Sequence, residues 1–442
     1  MSQSFNIKYI TIISLISALG GYLFGFDFAV ISGALPFLRE QFGLNEYWEG
    51  FATGSLAIGC IVGCLVAEKF SGKYGRKPAL MLAASIFAIS SVSMAASPTL
   101  GIFIFFRFMA GIGVGMASLL SPVYIAEISP ESVRGRMVAI NQLTIVTGIL
   151  ITNLVNYSLR NNGTEAWRWM FGLGLVPSLM FLAGVFFLPE SPRWLVKAGK
   201  PEKAAKVLGS ISNSEYAVNT LQSIQTSLQG TNKTGFYSIF SKPYAGLLLL
   251  GIFLAVLQQF SGINVVFNYT SNIFESIGAS KDDQLLQTVF IGGVNLVVTI
   301  LAMTLVDKIG RKPLMILGTA GMSVIYLFIS YFLYIKSAQA AWFLLSAIGI
   351  YGLTLAPVTW ILISEIYPNK IRNAATAITV ISLWMAYFIL TFTFPPLAKA
   401  IGMANTFYIY SAICFTGGII IYFKVKETRG KTLEQMDSVF KH

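Results

Sequence analysis

Long apolar runs, separated by mostly short polar connections, set the pattern of this chain. The runs cover residues 8–37, 48–68, 78–97, 100–125, 137–158, 168–188, 244–274, 286–306, 313–335, 341–363, 374–397 and 405–424. A helix needs roughly 20 apolar residues to cross a bilayer, so these runs predict twelve transmembrane helices and an all-α membrane protein. One connection is long: Glu190–Tyr244 is polar, and its segments Pro201–Leu208 and Glu215–Leu228 suit short helices. The expected organisation is a six-helix half at 1–189, a cytoplasmic linker at 190–243, and a second six-helix half with a short tail at 244–442.

The two halves repeat. Gly72-Lys-Tyr-Gly-Arg-Lys-Pro78 after the second run recurs as Asp307-Lys-Ile-Gly-Arg-Lys-Pro313 after the eighth. Glu127-Ile-Ser-Pro-Glu-Ser-Val-Arg134 recurs as Glu365-Ile-Tyr-Pro-Asn-Lys-Ile-Arg372, and Glu190-Ser-Pro-Arg193 is echoed by Glu427-Thr-Arg429. Six crossings return the chain to the same side, so the halves are parallel repeats about an axis normal to the membrane. That arrangement places a binding site between halves near the midplane and suits alternating access by rocking.

Composition agrees. The chain is 55% hydrophobic and only 11% charged, against about 25% charged in a soluble domain. No signal peptide is read at the N-terminus, because the first run is too long for an h-region and lacks a small-residue cleavage site. The net charge of +12 belongs to topology rather than to nucleic acid. Most of the 31 Lys and Arg fall on the even-numbered connections and the tails; the opposite loops hold Arg39, Arg160, Arg168, Lys281, Lys336 and Lys399. Both termini are therefore expected in the cytoplasm of a multi-pass protein of the cell (inner or plasma) membrane. Cys60, Cys64 and Cys414 lie in apolar runs without a metal shell. The single histidine is the last residue, His442, so a proton relay in the membrane must use carboxylates. Asn162-Gly163-Thr164 matches a glycosylation pattern on an outside loop, read as chance occurrence.

Asp27 is the only acid in the apolar stretch Tyr9–Phe37. A carboxylate at that depth costs at least about 2.5–3.5 kcal/mol and calls for a partner. Arg107 is the natural one, being the only base inside the spans of the first half. Gly20, Gly21 and Gly25 beside Asp27 let another helix approach closely. A movement that parted the two charges would let Asp27 take a proton; a static ion pair is the alternative. The seventh run supplies Gln258, Gln259 and Asn264, neutral amides that both donate and accept, as a sugar's hydroxyls require. On an ideal helix Asn264 points about 240° away from Gln258, so all three meet one ligand only if the helix breaks, and Gly262 permits a break. Interhelical amide bonding is the alternative, but a Gln pair is more than one interface needs.

These features, with Arg107-Phe-Met-Ala-Gly-Ile-Gly-Val-Gly115, Pro122-Val-Tyr-Ile-Ala-Glu127 with Arg134-Gly135, Asn141-Gln142, Pro189-Glu-Ser-Pro-Arg-Trp194, Gln258-Gln-Phe-Ser-Gly-Ile-Asn264 and Glu427-Thr-Arg-Gly-Lys-Thr-Leu433, carry a resemblance. Over essentially its whole length the chain resembles the sugar porter family of the major facilitator superfamily. It is most like the bacterial proton-coupled symporters, such as the xylose symporter, and is related to the facilitative glucose transporters. The resemblance implies a major facilitator fold, a discontinuous seventh span, and sugar contacts at Gln142, Ile149, Gln258, Gln259, Asn264, Asn295, Trp360 and Trp384. It makes Asp27 and Arg107 the proton-coupling pair. It assigns Glu127, Arg134, Glu190, Arg193, Asp307, Arg311, Glu365, Arg372 and Glu427 to a cytoplasmic gate network of interdomain salt bridges that holds an outward-facing state. Pro357, Pro395 and Pro396 are expected to kink spans ten and eleven.

Several positions depart from the family pattern. Asn268 stands where an aromatic residue, usually Tyr, is found, although Tyr269 is kept. Ile149 matches the glucose transporters, where the xylose symporter has an amide. Leu383 replaces a polar residue, Tyr387 an Asn, and Ala356 the usual Gly before Pro357. Together these lean from pentose toward hexose. The expected function is a proton-coupled monosaccharide symporter, with a facilitative uniporter and a non-transporting sugar sensor as alternatives. An enzyme is not expected, since no nucleophile–base set or metal cluster appears, nor is a drug exporter. The expected partners are a monosaccharide and the lipid bilayer, with no cofactor beyond the coupling proton, and the chain is expected to act as a monomer.

Overall fold

The structure, a computed structural model, describes residues 5–229, 239–368 and 371–427. Among these residues no strand is present, and twelve helices are long and apolar enough to cross a membrane. We number them spans one to twelve: Ile7–Phe42, Glu46–Tyr74, Arg76–Ala95, Leu100–Ile128, Glu131–Leu159, Ala166–Phe187, Tyr244–Asn268, Lys281–Leu305, Arg311–Tyr334, Ala340–Ile363, Ala374–Ile401 and Met403–Lys424. The expected segments at 230–238, including Lys233, and at 428–442, including Arg429 and His442, lie outside the described residues, as does Lys370.

The chain forms two compact units. The first contains the chain up to Asp27, then Ile58–Thr152, and then Arg168 onward through the linker helices. The second contains Phe28–Ala57, Asn153–Trp167 and the chain that follows the linker. Spans one, two and five each contribute one end to each unit.

In the first unit the glycines of span one act as expected. A Cβ at Gly20 would meet the Ser121 and Ala117 side chains of span four, and one at Gly21 or Gly25 would meet the span-five backbone at Asn141 or Ile145. The linker forms helices at Pro192–Lys197, Pro201–Ile211 and Ser214–Gln229. Two of them open on proline at the first turn, where a missing N–H costs nothing. Leu208, Ile211 and Ala217 of the linker pack with Ile10, Ile125 and Met137, which seats the linker on spans one, four and five.

In the second unit span seven is broken. Lys242–Phe260 is followed by a turn at Ser261–Gly262, then by Ile263–Asn268 and Thr270–Ser276. Gly262 has φ +82°, and a side chain there would run into the Tyr410 ring. Only glycine adopts that backbone freely, so the sequence fixes the break at this residue. Span ten is broken as well, into Ala340–Leu353 and Leu355–Glu365 around Thr354. Pro357 explains this: it has no N–H, and its ring crowds the carbonyl four residues earlier, that of Leu353. Span eleven is part of a single helix, Arg372–Ile401, that contains Pro395 and Pro396.

Candidate functional site

Two polar constellations lie inside the membrane spans. In the first unit, Asp27 on span one and Arg107 on span four are fully buried, with Arg107 Nη1 3.6 Å from Asp27 Oδ1. That is ion-pair distance but not hydrogen-bond distance. Neither carboxylate oxygen has a hydrogen-bond partner, and neither do Nε, Nη1 and Nη2 of Arg107. The guanidinium lies 5.7 Å from the centre of the Phe171 ring. The pair is thus held by charge, with no hydrogen-bond network locking it. Such a pair resists loss of either member yet can part when the helices move.

The second constellation is the amide row on span seven, all of it inside the second unit. The Gln258 side-chain N–H reaches the backbone carbonyls of Leu355 and Ala356 on span ten, at 3.3 and 3.4 Å. Gln259 donates to Gln258 Oε1 at 3.4 Å, and Asn264 donates to Gln259 Oε1. The break at Gly262 is what turns Asn264 back toward Gln259. All three are buried. Asn295 on span eight is buried facing Gly352 of span ten. Trp384 on span eleven is buried with its ring 5.9 Å from that of Tyr387, whereas Trp360 on span ten is 45% exposed. Gln142 and Ile149 belong to span five of the first unit, the former exposed and the latter buried.

The gate residues form two clusters of one design, each within one unit. In the first, Arg76 pairs with Glu127 through Nε and Nη2, at 3.0 and 2.9 Å. Ser191 donates its hydroxyl to Glu127, and Glu190 accepts the backbone N–H groups of Arg76, Lys77 and Ser191. In the second, Arg311 pairs with Glu365 at 3.3 Å, and Glu427 accepts the backbone N–H groups of Arg311 and Lys312. Arg134 donates to the Ala126 carbonyl and Arg372 to that of Tyr367. Arg193 is exposed on its short helix, and the side chain of Asp307 lies outside the described residues. Burial pushes the Glu190 carboxyl above the usual carboxylate range; its backbone donors and the Arg76 charge pull it back.

The joint under Glu190 depends on Gly75, with φ +110°, where a Cβ would overlap the carboxylate. Gly75→Ala is expected to cost about 1–3 kcal/mol. Gly72→Ala, in the same motif with open space around it, is the control. Thermal unfolding in detergent should show a lower Tm for the first and little change for the second; equal behaviour would remove the joint from the account.

The sequence reading missed Arg76, although it named the equivalent Arg311 and the repeat pointed to it. It also missed an ionic network at the ends of spans one, two and five that belong to the second unit. There Arg39 pairs with Glu49 at 3.1 Å and with Glu275 at 2.8 Å, and Asn272 donates to Glu49. Lys281 pairs with Glu40 at 3.0 Å, Arg160 with Asp282 at 3.0 Å and Lys399 with Glu46 at 2.6 Å. Most of these are exposed pairs worth about 0–1 kcal/mol each. Glu49 is the exception, being 4% exposed and dependent on Arg39 and Asn272. The available signal was that few bases lie on this side, and most of them have an acid to answer.

The family model described as "Sugar (and other) transporter" matches residues 13–440. The chain is 37% identical to the D-xylose-proton symporter of Escherichia coli (strain K12), with 100% of this chain and 97% of that protein covered. It is 37% identical to the glucose transport protein of Synechocystis sp., covering 98% and 97%, and 34% identical to the arabinose-proton symporter of Bacillus subtilis, covering 100% and 97%. Among solved structures, the inward open conformation of the xylose transporter XylE from E. coli superposes with a TM-score of 0.87 at 35% identity, covering 98% of this chain and 100% of that one.

Proposed function

The chain belongs to the sugar transporter family, with the twelve-helix major facilitator fold and without an enzyme's role, and from that premise we propose that it carries a monosaccharide together with a proton by alternating access. One observation carries the coupling: a carboxylate, Asp27, wholly buried in a membrane span beside an equally buried Arg107 that it does not hydrogen-bond. An ionised Asp27 holds Arg107; a protonated one releases it. Spans one and four then have two arrangements, selected by a proton, and the ligand shifts their populations through its own preference between them. The amides Gln258, Gln259 and Asn264 form the sugar cradle, joined by Gln142, Ile149, Asn295, Trp360 and Trp384. Both termini lie in the cytoplasm in this reading, which the excess of basic residues on the even-numbered connections supports. The chain acts as a monomer.

The relatives do not choose the sugar. Proteins named for xylose, glucose and arabinose lie at 34–37% identity. The apolar Ile149 and Leu383, in place of polar groups, favour a hexose over a pentose.

The test uses purified protein in liposomes with a trapped pH dye and no imposed gradient. Each of a panel of hexoses, pentoses and polyols is added outside. A proton symporter acidifies the interior with its own sugar and not with the others. If labelled sugar equilibrates and no sugar moves protons, the protein is a uniporter and Asp27 only a structural partner of Arg107. If no sugar enters, the transport reading is lost.

A further inference from the structure

The two gate clusters share one design, but the lysine beside each arginine ends differently. In the first unit the Lys77 ammonium lies 5.5 Å from the centre of the Phe186 ring and donates to the Phe186 backbone carbonyl at 2.6 Å. Lys312 is the equivalent of Lys77 in the repeated motif, and Tyr422 of span twelve takes the part of Phe186. The Lys312 ammonium lies 5.4 Å from the centre of the Tyr422 ring, but among the described residues it meets no carbonyl and no carboxylate. The backbone N–H of Lys312 is taken by Glu427, and the neighbouring Arg311 is paired with Glu365. One repeat thus satisfies this ammonium internally, and the other leaves it to an acceptor from outside.

A groove of about 510 Å³ opens beside it, lined by Lys312, Pro313, Ile316, Leu317 and Ala320. These positions recur at intervals of three and four, so they form one stripe along span nine. From Lys312 to Ala320 the stripe is about 12 Å long. Below the Lys312 head its walls are apolar, and Leu317 is exposed within a membrane span. The groove has a firm base. Ser323 of span nine and Ser411 of span twelve each donate to the other's backbone carbonyl, at 3.0 and 2.7 Å. Hydrocarbon chains cover any apolar stripe in a bilayer; the cation at the mouth sets this one apart. Lys308 and Lys424, in the last turns of their helices, are exposed at the same end of the bundle. A lysine whose stem lies on an apolar slot and whose head reaches the membrane surface suits a molecule with an anionic head and an acyl tail. A free anion uses only the first of these features.

We propose that the groove on span nine is a specific site for an anionic phospholipid. Lys312 holds the head-group phosphate beside the Tyr422 ring, and one acyl chain lies along Pro313–Ala320. The site does not depend on what the protein carries. It does reach the second gate cluster, because Lys312 supplies one of the two N–H groups that Glu427 caps. A bound lipid therefore steadies the start of span nine and favours the state in which that cluster is intact.

The experiment counts the lipids retained by the purified protein in detergent, by native mass spectrometry, with phosphatidylglycerol or phosphatidylcholine of matched chains. The wild type should retain phosphatidylglycerol in preference to phosphatidylcholine. Lys312→Gln should weaken that binding about fivefold, and Lys312→Arg should keep it. Lys77→Gln removes an ammonium that is already satisfied and should leave binding unchanged. Ala320→Trp keeps every charge but fills the slot, so it should lose the lipid as Lys312→Gln does. Glycerol phosphate, a head group without chains, should not compete. Thermal unfolding checks that each variant is folded, and phosphatidylglycerol should raise the Tm of the wild type and of Lys312→Arg but not that of Lys312→Gln. Equal losses in Lys312→Gln and Lys77→Gln would reduce the effect to surface charge and overturn the proposal. Unaltered binding by Ala320→Trp, competition by glycerol phosphate, or a wild type without preference would each overturn it as well.

Discussion

Asp27→Asn abolishes uphill accumulation and leaves sugar binding and exchange in place. The side chain keeps its size and its buried place between spans one and four, but it no longer carries the charge that holds Arg107, nor a site for a proton. In proteoliposomes with an imposed proton gradient, labelled sugar should rise only to the outside concentration. Counterflow exchange, which needs no proton, should persist. Continued accumulation above the outside level in the variant would end the coupling role of Asp27. The partner behaves differently. Arg107→Ala leaves a buried carboxylate facing no charge, at a cost of about 3–5 kcal/mol. That variant should fold poorly, and adding Asp27→Asn should restore much of the folded yield. A fully buried pair with no hydrogen bonds of its own is the reason for this asymmetry: Asn is tolerated in a site that an unpaired charge is not.

Gln258→Ala removes two links at once. The Gln258 amide N–H ties span seven to the Leu355 and Ala356 carbonyls, and its oxygen receives Gln259. Without it Gln259 loses its anchor, and Asn264 loses the fixed Gln259 it donates to. Two neutral hydrogen bonds lost to the ligand or to its cradle correspond to about 2–4 kcal/mol, or roughly thirty- to thousandfold in affinity. Equilibrium binding of the transported sugar measures this, with thermal unfolding as the check that the protein is folded. A folded variant of unchanged affinity would take Gln258 out of the site.

What the sequence disclosed divides along a physical line. Spans, the linker helices and the break at Gly262 follow from local pattern and backbone freedom, which are written residue by residue. The meeting of Asp27 with Arg107 was legible because the first half offered each only one answer. The ion pair of Arg39 with Glu275 was not, since the two are 236 positions apart and no local pattern joins them. The hydrogen bond from the Asn268 amide to the Tyr387 hydroxyl, 119 positions away, escaped for the same reason, although both residues had drawn notice singly. The break at Thr354 was half legible: Pro357 announced a kink, and the structure carries it to a full interruption between Leu353 and Leu355.

The two glycine joints act as buckles. Gly75 and Gly310 hold φ +110° and +104°, and each backs onto a glutamate that caps the span beginning there. The glutamate lies 114 residues beyond the capped N–H in one joint and 116 in the other. Each joint therefore fastens the start of one span to the chain that leaves another three spans later, and loosening either buckle would free both ends in a single step.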